Sequence, residues 1–197
     1  MSWDVKLMTV QSHTAIESEV LEAYSYPLAM RTMYNESGGD EGAFVVATNC
    51  SWGVEFGMAA DAPLWCAYYD EMGAQGILSC GATANDNTNV DVEGDLPTHC
   101  PSEYLITVTN MDFNDNKVWP AGYGVETIDL GAHGAGVFTA HPGPSYGPFG
   151  GTSGATPHVT GAIGLLYSAP CVDLMTLAQS DPQAAAEFVR DVIFDGL

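Results

Sequence analysis

The sequence predicts one α/β domain built on a parallel sheet that helices cover on both faces. Short runs of nearly continuous apolar residues alternate with segments of helical spacing, as expected when each strand is buried on both sides. The 197 residues suffice for a single domain with a sizeable core. No internal repeat, low-complexity tract or linker divides the chain, so we expect residues 1–197 to form one unit.

The predicted strands are short and apolar. Four are expected inside the sheet, and a fifth, at residues 137–140, is expected at an edge. The four inner strands are residues 5–10, 43–49, 77–82 and 105–108. A long polar loop, residues 83–97, follows the third of them. In parallel sheets of this kind, binding and catalytic groups collect at the carboxyl ends of the strands.

Three helices are predicted around these strands. Residues 16–34 carry apolar residues at helical spacing, and Pro27 within them predicts a kink or a break. Residues 63–73 begin with a proline, which the first turn of a helix tolerates, and end at a glycine. Asp181 followed by Pro182 predicts the start of a last helix, which ends near Gly196.

The charge balance restricts the partners. Four basic residues face 25 acidic ones, giving a formal net charge of −21. Phosphate binding needs clustered cations, so the composition excludes nucleic acid and disfavours acidic membranes. Strong negative charge suits a saline extracellular setting. No run of eighteen apolar residues predicts a membrane span, and residues 1–6 have neither the basic cluster nor the apolar core of a signal peptide.

The five cysteines do not show zinc-binding spacing, since no CxxC pair is present. In a secreted protein, one or two disulfides are plausible and at least one thiol is left over. Our first choice is Cys66 with Cys100, which lie on a predicted helix and a predicted loop. Cys50 and Cys80 are predicted to be buried strand residues, where free cysteine acts as a small hydrophobe.

The most informative segment is residues 150–166, in which a glycine-rich loop is predicted to lead into an apolar helix. Ser153 falls in the first turn of this helix, and Pro157 lies in or near that turn. The free N–H groups and positive end of a buried helix would stabilise an oxyanion beside Ser153. The alternative is that Ser153 only caps the helix, as most serines before helices do.

The string Gly-Thr-Ser-Gly-Ala-Thr-Pro-His-Val at residues 151–159 resembles the nucleophile motif of the subtilisin-like serine proteases. Every defining position of Gly-Thr-Ser-x-Ala-x-Pro-His-Val matches in order. The resemblance implies a three-layer subtilisin-like fold, with Ser153 as the nucleophile that forms an acyl-enzyme and Thr152 in the substrate-binding site. It also implies polypeptide substrates and chemistry without a cofactor.

Residues 82–85 follow the third predicted strand and resemble the Ala-Ala-Gly-Asn segment of the same family. The asparagine of that segment completes the oxyanion hole, so the resemblance makes Asn85 the donor, with Asn87 as a second choice. Ala84 replaces the family's glycine. Asn85 could instead be an ordinary turn residue.

Residues 48–53 end the second predicted strand and resemble the family's Ser-x-Gly segment, whose backbone pairs with an extended substrate. Two segments would then form the walls of the pocket that binds the substrate residue just before the cleaved peptide bond. The first wall is Ser51, Trp52 and Gly53, and the second is Ala82, Thr83 and Ala84. These small residues favour a roomy pocket that tolerates apolar side chains, although Trp52 could equally be a core residue.

Two loops carry further polar residues. Asp112, Asn114 and Asp115 have the oxygen ligands that calcium prefers, so a structural calcium ion is possible there, but such clusters are usually solvated turns. We therefore assign no metal ligands. His133 replaces the proline of the family's Ala-Pro-Gly segment at residues 132–134.

A serine nucleophile needs a base, normally a histidine that a carboxylate orients. The family carries these groups in a His-Gly-Thr and an Asp-[Ser/Thr]-Gly motif, and neither occurs in this sequence. His158 lies five residues from Ser153 on the same helix and points elsewhere. Of the other four histidines, none lies in such a motif.

We therefore expect residues 1–197 to be a fragment, truncated at both ends, of a secreted subtilisin-like endopeptidase. The fold would then be incomplete: in the family, the strand carrying the aspartate lies between the two strands that residues 5–10 and 43–49 resemble. The alternative is a catalytically inactive protein-binding module on the subtilisin scaffold. Coding sequence upstream of Met1 would separate the two interpretations.

Overall fold

The structure, a computed structural model, describes residues 5–12 and 15–196. Its centre is a parallel sheet of four strands in the order β1-β3-β5-β6. These strands are β1 (Ala47–Cys50), β3 (Leu78–Ala82), β5 (Leu105–Met111) and β6 (Leu130–His133). Two antiparallel pairs lie outside this sheet: β2 (Val54–Glu55) with β4 (Asp95–Leu96), and β7 (Val137–His141) with β8 (Ser145–Phe149).

The helices are α1 (Glu17–Glu36), α2 (Pro63–Ala74), α3 (Val90–Glu93), α4 (Thr152–Ser168), α5 (Val172–Ser180) and α6 (Pro182–Asp195), and a 3₁₀ turn covers Ala59–Asp61. Among the described residues, no single helix is both long and apolar enough to cross a membrane. The helices α4 and α5 meet that test only as a pair, and the two are bent by 102°.

Two apolar clusters place helices on both faces of the sheet. On one face, Leu78 and Ile106 of the strands pack with Val159 and Ile163 of α4. On the other face, α1 and α2 pack together around the fully buried Trp65 and the residues Ile77 and Leu105. The strands are therefore covered on both sides, which confirms the predicted three-layer α/β fold.

Most of the predicted elements are present, with shifted bounds. The predicted helix 63–73 is α2, the last helix is α6, and the predicted strands 77–82 and 105–108 are β3 and β5. Residues 137–140 form the strand β7, but it pairs with β8 and is not the edge of the parallel sheet that we expected. Of residues 43–49, only the last three belong to β1. Cys50 and Cys80 are buried and free, as predicted.

The prediction of a strand at residues 5–10 is wrong, because these residues pair with no strand in the described part of the chain and their side chains are exposed. The helix α1 also runs through Pro27 without the predicted break. Buried residues on both sides of the proline, Val20 and Tyr24 before it and Arg31 after it, hold the two halves of α1 against the core.

Sequence patterns missed β6, α5 and the short elements inside the predicted polar loop. The strand β6 contains exposed Gly131 and His133, so its sequence lacks the apolar run that marks a buried strand. Its strand conformation comes from pairing with β5, in the register Val108 to Leu130 through Met111 to His133. The residues that pair are distant in sequence, and local periodicity does not report such pairing.

Beside β1 lies an open groove of about 1670 Å³. In the described part of the chain, β1 pairs only with β3, so its outer edge faces this groove. The other side of the groove is formed by residues 5–12, and its lining includes Val46, Ala47 and Tyr167. The groove thus separates the two segments that were predicted to flank a further strand.

The predicted disulfide between Cys66 of α2 and Cys100 is present. It closes a loop of 34 residues and ties α2 to the segment that follows β4. Restricting a loop of this length in the unfolded chain is worth about 3–4 kcal/mol.

Replacing both Cys66 and Cys100 by alanine should lower the free energy of unfolding by about 3–4 kcal/mol, because the unfolded chain regains the entropy of the open loop. Urea unfolding of the oxidised protein measures this change. The control is Cys171→Ala, which removes an exposed free thiol and should leave stability unchanged. A loss below about 1 kcal/mol in the double variant would contradict the prediction.

The open edge of β1 should be visible in amide hydrogen exchange. We expect the β1 amides that point to the groove to exchange faster than those of β3, which has strands on both sides. Exchange measured by NMR on residues 1–197 tests this. Equal protection of β1 and β3 would show that another part of the chain covers the edge.

Candidate active site

Ser153 lies in the first turn of α4, as predicted, at a partly exposed position. Gly151, two residues before Ser153, has a φ of +77°. Residues other than glycine rarely adopt this backbone conformation. A Cβ atom there would also lie 2.9 Å from Oδ1 of Asn85. A glycine is therefore needed to bring the start of α4 against Asn85.

Pro157 lies in the second turn of α4, slightly later than predicted. In an α-helix, its N–H would bond the carbonyl of Ser153, but proline has no N–H to donate. The hydroxyl of Ser51 takes this place and donates to the Ser153 carbonyl over 3.1 Å. In return, Oγ of Ser153 donates to the carbonyl of Ser51 over 3.0 Å. Ser153 is thus held against the end of β1 by a reciprocal pair of hydrogen bonds.

Asn85 is fixed beside Ser153 through Thr152. Its Oδ1 accepts the N–H of Thr152 at 3.1 Å, and its Nδ2 donates to Oγ1 of the same residue at 2.9 Å. An amide nitrogen carries two N–H bonds, so one remains for a ligand. The backbone N–H of Ser153 has no partner within the helix because it belongs to the first turn. Two N–H groups without a described partner, one on Asn85 and one on the backbone of Ser153, therefore lie at the start of α4.

The two predicted substrate walls continue β1 and β3 from the same edge of the sheet. Cys50 pairs with Gly81 in the last register of β1 and β3, so Ser51, the first residue after β1, follows beside Ala82, the last residue of β3. Trp52 is 39% exposed and its ring lies 5.7 Å from that of Trp65, so it bridges surface and core. In the second wall, Thr83 and Ala84 are buried.

The β4 segment lies beneath both walls. Because β4 pairs with β2, it runs along the continuation of the first wall. A Cβ atom on Gly53 would lie 1.8 Å from the carbonyl oxygen of Leu96, and one on Gly81 would lie 2.9 Å from Cγ of Pro97. A side chain at Gly53 or Gly81 would therefore displace this segment.

Asp95 at the start of β4 was not predicted as a site residue. It is only 3% exposed, and its Oδ2 accepts the N–H of Ala84 at 2.9 Å and the hydroxyl of Thr98 at 2.7 Å. Burial raises the pKa of its carboxyl to about 6, an effect that hydrogen bonds from Thr98, Ala84 and the Thr83 side chain oppose and the charge of Asp86 slightly reinforces. The only sequence signal was an acidic residue in a polar loop, and most such residues are exposed.

No described histidine hydrogen bonds the hydroxyl of Ser153, whose partner is the Ser51 carbonyl. His158 contacts the Gly154 carbonyl through Nδ1 at 2.9 Å, and Nε2 of His133 lies 3.0 Å from Oδ1 of Asp115. His13 lies outside the described residues. In the part of the chain that the structure describes, the hydroxyl of Ser153 thus has no histidine partner.

The loop considered for calcium is stabilised by its own backbone. Oδ1 of Asp112 accepts the N–H groups of Asn114 and Asn116 at 2.8 and 3.0 Å, and these bonds lower the pKa of the carboxyl. Residues 5–12 and 15–196 contain no group of three or more His, Cys, Asp or Glu side chains placed to hold a metal ion. The geometry is that of a turn held by an aspartate side chain.

A serine hydroxyl thus lies at the start of a buried helix, beside an amide side chain and a main-chain N–H, on an α/β fold. The Subtilase family model matches residues 3–191. The chain belongs to the subtilase family, which confirms the predicted resemblance.

Two curated relatives illustrate the similarity. The chain is 39% identical over 77 residues to thermitase of Thermoactinomyces vulgaris, covering 38% of this chain and 27% of that protein. It is 30% identical over 100 residues to subtilisin E of Bacillus subtilis (strain 168), covering 50% of this chain and 26% of that protein. The matched regions thus span about a quarter of the length of these relatives.

Solved structures agree in fold. A cold-adapted subtilisin-like serine proteinase superposes with a TM-score of 0.62 at 20% identity, covering 91% of this chain and 56% of that chain. The prenylagaramide maturation protease PagA superposes with a TM-score of 0.64 at 20% identity, covering 89% and 57%. This chain therefore spans just over half the length of these structures.

The buried carboxyl of Asp95 predicts a pH-dependent stability. Its folded-state pKa of about 6 exceeds the ordinary value of 3.8, so the folded state binds the proton more tightly. The stability that Asp95 contributes is thus complete below about pH 4 and is lost as the pH rises through about 6. Asp95→Asn should remove this loss and raise the free energy of unfolding at about pH 7.5 by about 3 kcal/mol.

Urea unfolding at several pH values between about 4 and 8 measures the effect. Asp173→Asn, which removes an exposed carboxylate from α5, is the matched control and should follow the unmodified chain at each pH. If Asp95→Asn also follows it, the carboxyl has an ordinary pKa and the prediction fails.

Proposed function

We propose that residues 1–197 supply the nucleophile, the oxyanion donors and the substrate-binding walls of a secreted subtilisin-like serine endopeptidase. The observation that carries this proposal is the reciprocal pair of hydrogen bonds between Ser51 and Ser153, with Asn85 fixed alongside. A serine that only caps the helix would need neither the reciprocal hydrogen bonds nor a fixed Asn85 beside it. The base and its orienting carboxylate would come from a segment outside residues 1–197.

In the proposed reaction, Oγ of Ser153 attacks the carbonyl carbon of a peptide bond. The base takes the hydroxyl proton and passes it to the leaving amine, and an acyl-enzyme on Ser153 remains for water to hydrolyse. The free N–H of Asn85 and the backbone N–H of Ser153 would stabilise the negative charge on the carbonyl oxygen. Attack first requires Ser153 to release the Ser51 carbonyl.

The main-chain groups of the two walls would bind the substrate as an added strand, which gives affinity with few sequence demands. The groove beside β1 supports a base from elsewhere in the polypeptide, since it offers an unpaired strand edge and an apolar lining. A strand seated there would end at the same sheet edge as Ser51, which is where a catalytic carboxylate would be useful.

We propose no cofactor for the chemistry, because the nucleophile and the oxyanion donors are protein groups. A structural calcium ion at Asp112, Asn114 and Asp115 is not needed to explain the loop, whose aspartate already accepts two backbone N–H groups. The inactive-module interpretation has less support. It gives no reason for a serine hydroxyl and two unused donors to converge at one point.

Activity assays on the protein extended by its upstream coding sequence test the proposal. Ser153→Ala should abolish peptide hydrolysis. Asn85→Ala should lower kcat with little change in KM, because Asn85 binds a charge that exists only in the transition state. The expected loss is about 10²–10³-fold, which is the range established for the corresponding donor of subtilisin, itself a member of this family.

Asn87→Gly is the matched control for Asn85→Ala. It removes a neighbouring amide, and glycine tolerates the positive φ of 59° at that position. The proposal fails if the control loses as much kcat as Asn85→Ala. It also fails if residues 1–197 alone turn over peptides efficiently, since another base would then lie within them.

A further inference from the structure

The ammonium group of Lys117 is surrounded by neutral oxygen atoms rather than by carboxylates. Its Nζ donates to the backbone carbonyls of Ala121 at 2.7 Å, Trp119 at 3.2 Å and Val118 at 3.4 Å. It also donates to Oδ1 of Asn87 at 2.9 Å. None of the ion pairs found in the described part of the chain includes Lys117, although the sequence has 25 acidic residues. Backbone and amide oxygens thus form the whole hydrogen-bonding environment of this cation.

The three carbonyls belong to one tight turn, residues 118–121, in which the N–H of Ala121 donates to the Val118 carbonyl at 2.9 Å. Carbonyl oxygens directed at one point carry partial negative charges, which repel one another unless a cation lies between them. Lys117 supplies that cation from the residue directly before the turn. The ring of Tyr123, whose centre lies 5.3 Å from Nζ, faces the same charge. The turn therefore closes around an ammonium group that belongs to the chain itself.

The turn and the residues after it lie along residues 84–88, which carry the proposed oxyanion donor Asn85 and are called the donor segment below. Three backbone hydrogen bonds connect the two: Asn87 to Pro120 at 2.7 Å, Gly122 to Ala84 at 2.8 Å and Tyr123 to Thr88 at 2.9 Å. These bonds fix the backbone on both sides of Asn85. The Lys117 ammonium strengthens the same connection, because it joins the turn to the Asn87 side chain.

The donor segment needs external support because its backbone is strained. Asn87 has a φ of 59°, a left-handed conformation that asparagine tolerates better than most residues but that glycine alone adopts freely. Such a conformation persists where the surrounding structure over-determines it. The turn provides that structure, and Lys117 is the charged group within the connection.

We propose, on the basis of the proposed function, that Lys117 is a positioning residue for the oxyanion donor Asn85. Its ammonium holds the turn closed and fixes the donor segment through Asn87, and from this backbone the Asn85 side chain reaches Thr152 at the start of α4. None of the described hydrogen bonds of Lys117 reaches Asn85 or Ser153. Its effect on the reaction therefore passes through the donor segment, and it depends on how accurately the Asn85 N–H is aimed at the developing charge.

Amide hydrogen exchange on residues 1–197, followed by NMR, measures the positioning without requiring catalysis. Lys117→Met keeps the length of the side chain and removes its charge. We expect the N–H of Thr152, which donates to Asn85, and the N–H of Gly122, which donates to the Ala84 carbonyl, to exchange about tenfold faster or more. The inner amides of β5, which has strands on both sides, should keep their protection and show that the variant is folded.

Lys6→Met is the matched control, because it removes the same charge from the exposed segment beside the groove and should leave exchange at Thr152 and Gly122 unchanged. Asn87→Gly removes one of the four oxygens and relieves the strained φ, so it should accelerate the same two amides by a smaller factor and provides a test even if Lys117→Met does not fold. Unchanged exchange at Thr152 and Gly122 in a folded Lys117→Met variant, or in Asn87→Gly, would overturn the inference whatever the function of the site.

Activity of the protein extended by its upstream coding sequence shows whether this positioning affects the reaction. Lys117→Met should lower kcat about tenfold with little change in KM, a smaller loss than that of Asn85→Ala because the donor is misplaced rather than removed. In the Asn85→Ala background, Lys117→Met should cause no further loss, since an absent donor cannot be misplaced. A merely structural role would give the same loss in both backgrounds.

Equal losses of kcat in the two backgrounds, or a raised KM at unchanged kcat, would overturn the inference and leave the proposed function in place. If Asn85→Ala itself leaves kcat unchanged, the donor in the proposed function is wrong, and the inference fails with it. The Asn85→Ala single variant therefore separates the failure of the proposed function from the failure of the role assigned to Lys117.

Discussion

The site depends on one exchange of hydrogen bonds between Ser51 and Ser153. It exists because Pro157 leaves the Ser153 carbonyl without its helical partner, which a second hydroxyl then satisfies. That hydroxyl belongs to the residue directly after β1, so the start of α4 is locked to the sheet edge where the walls begin. Gly151 permits the approach, and Asn85 secures its other side through Thr152. Pro157 costs the helix one backbone hydrogen bond, and the hydroxyl that replaces this bond positions Ser153.

The features that sequence could predict are those set by neighbouring residues. The start of α6 follows from Asp181 and Pro182, and Asp181 indeed accepts the N–H of Ala184. The features that sequence missed depend on distant partners. Residues 5–10 have the composition of a strand but lie across a groove from β1, whereas β6 has a weak composition but an edge of β5 to pair with. Strand formation is a property of the pair, so composition alone misjudged both.

The residues of the candidate site also differ in whether the sequence could predict them. Ser153 and Asn85 lie within short, ordered strings of residues that demand a particular backbone, and the structure brings the two together. Asp95 lies in a polar loop where nothing distinguishes it from Asp86, which is exposed, or from Asp91, which bonds surface backbone. Its burial comes from pairing with β2 and from the Ala84 N–H, contacts with residues that are not its neighbours along the chain. An isolated carboxylate in a sequence does not reveal whether water will surround it.

The acidic composition restricts how buried carboxyl groups can be paired. With four basic residues against 25 acidic ones, the chain has few cations to place, and two of them donate to backbone carbonyls. Arg31 is fully buried over the Phe44 ring, 4.3 Å from its centre, and bonds a backbone carbonyl rather than an acid. Lys117 likewise serves carbonyl groups of its own loop. The hydrogen bonds that reach the buried carboxyl of Asp95 therefore come from neutral groups, such as the N–H of Ala84 and the hydroxyl of Thr98, and burial raises its pKa to about 6.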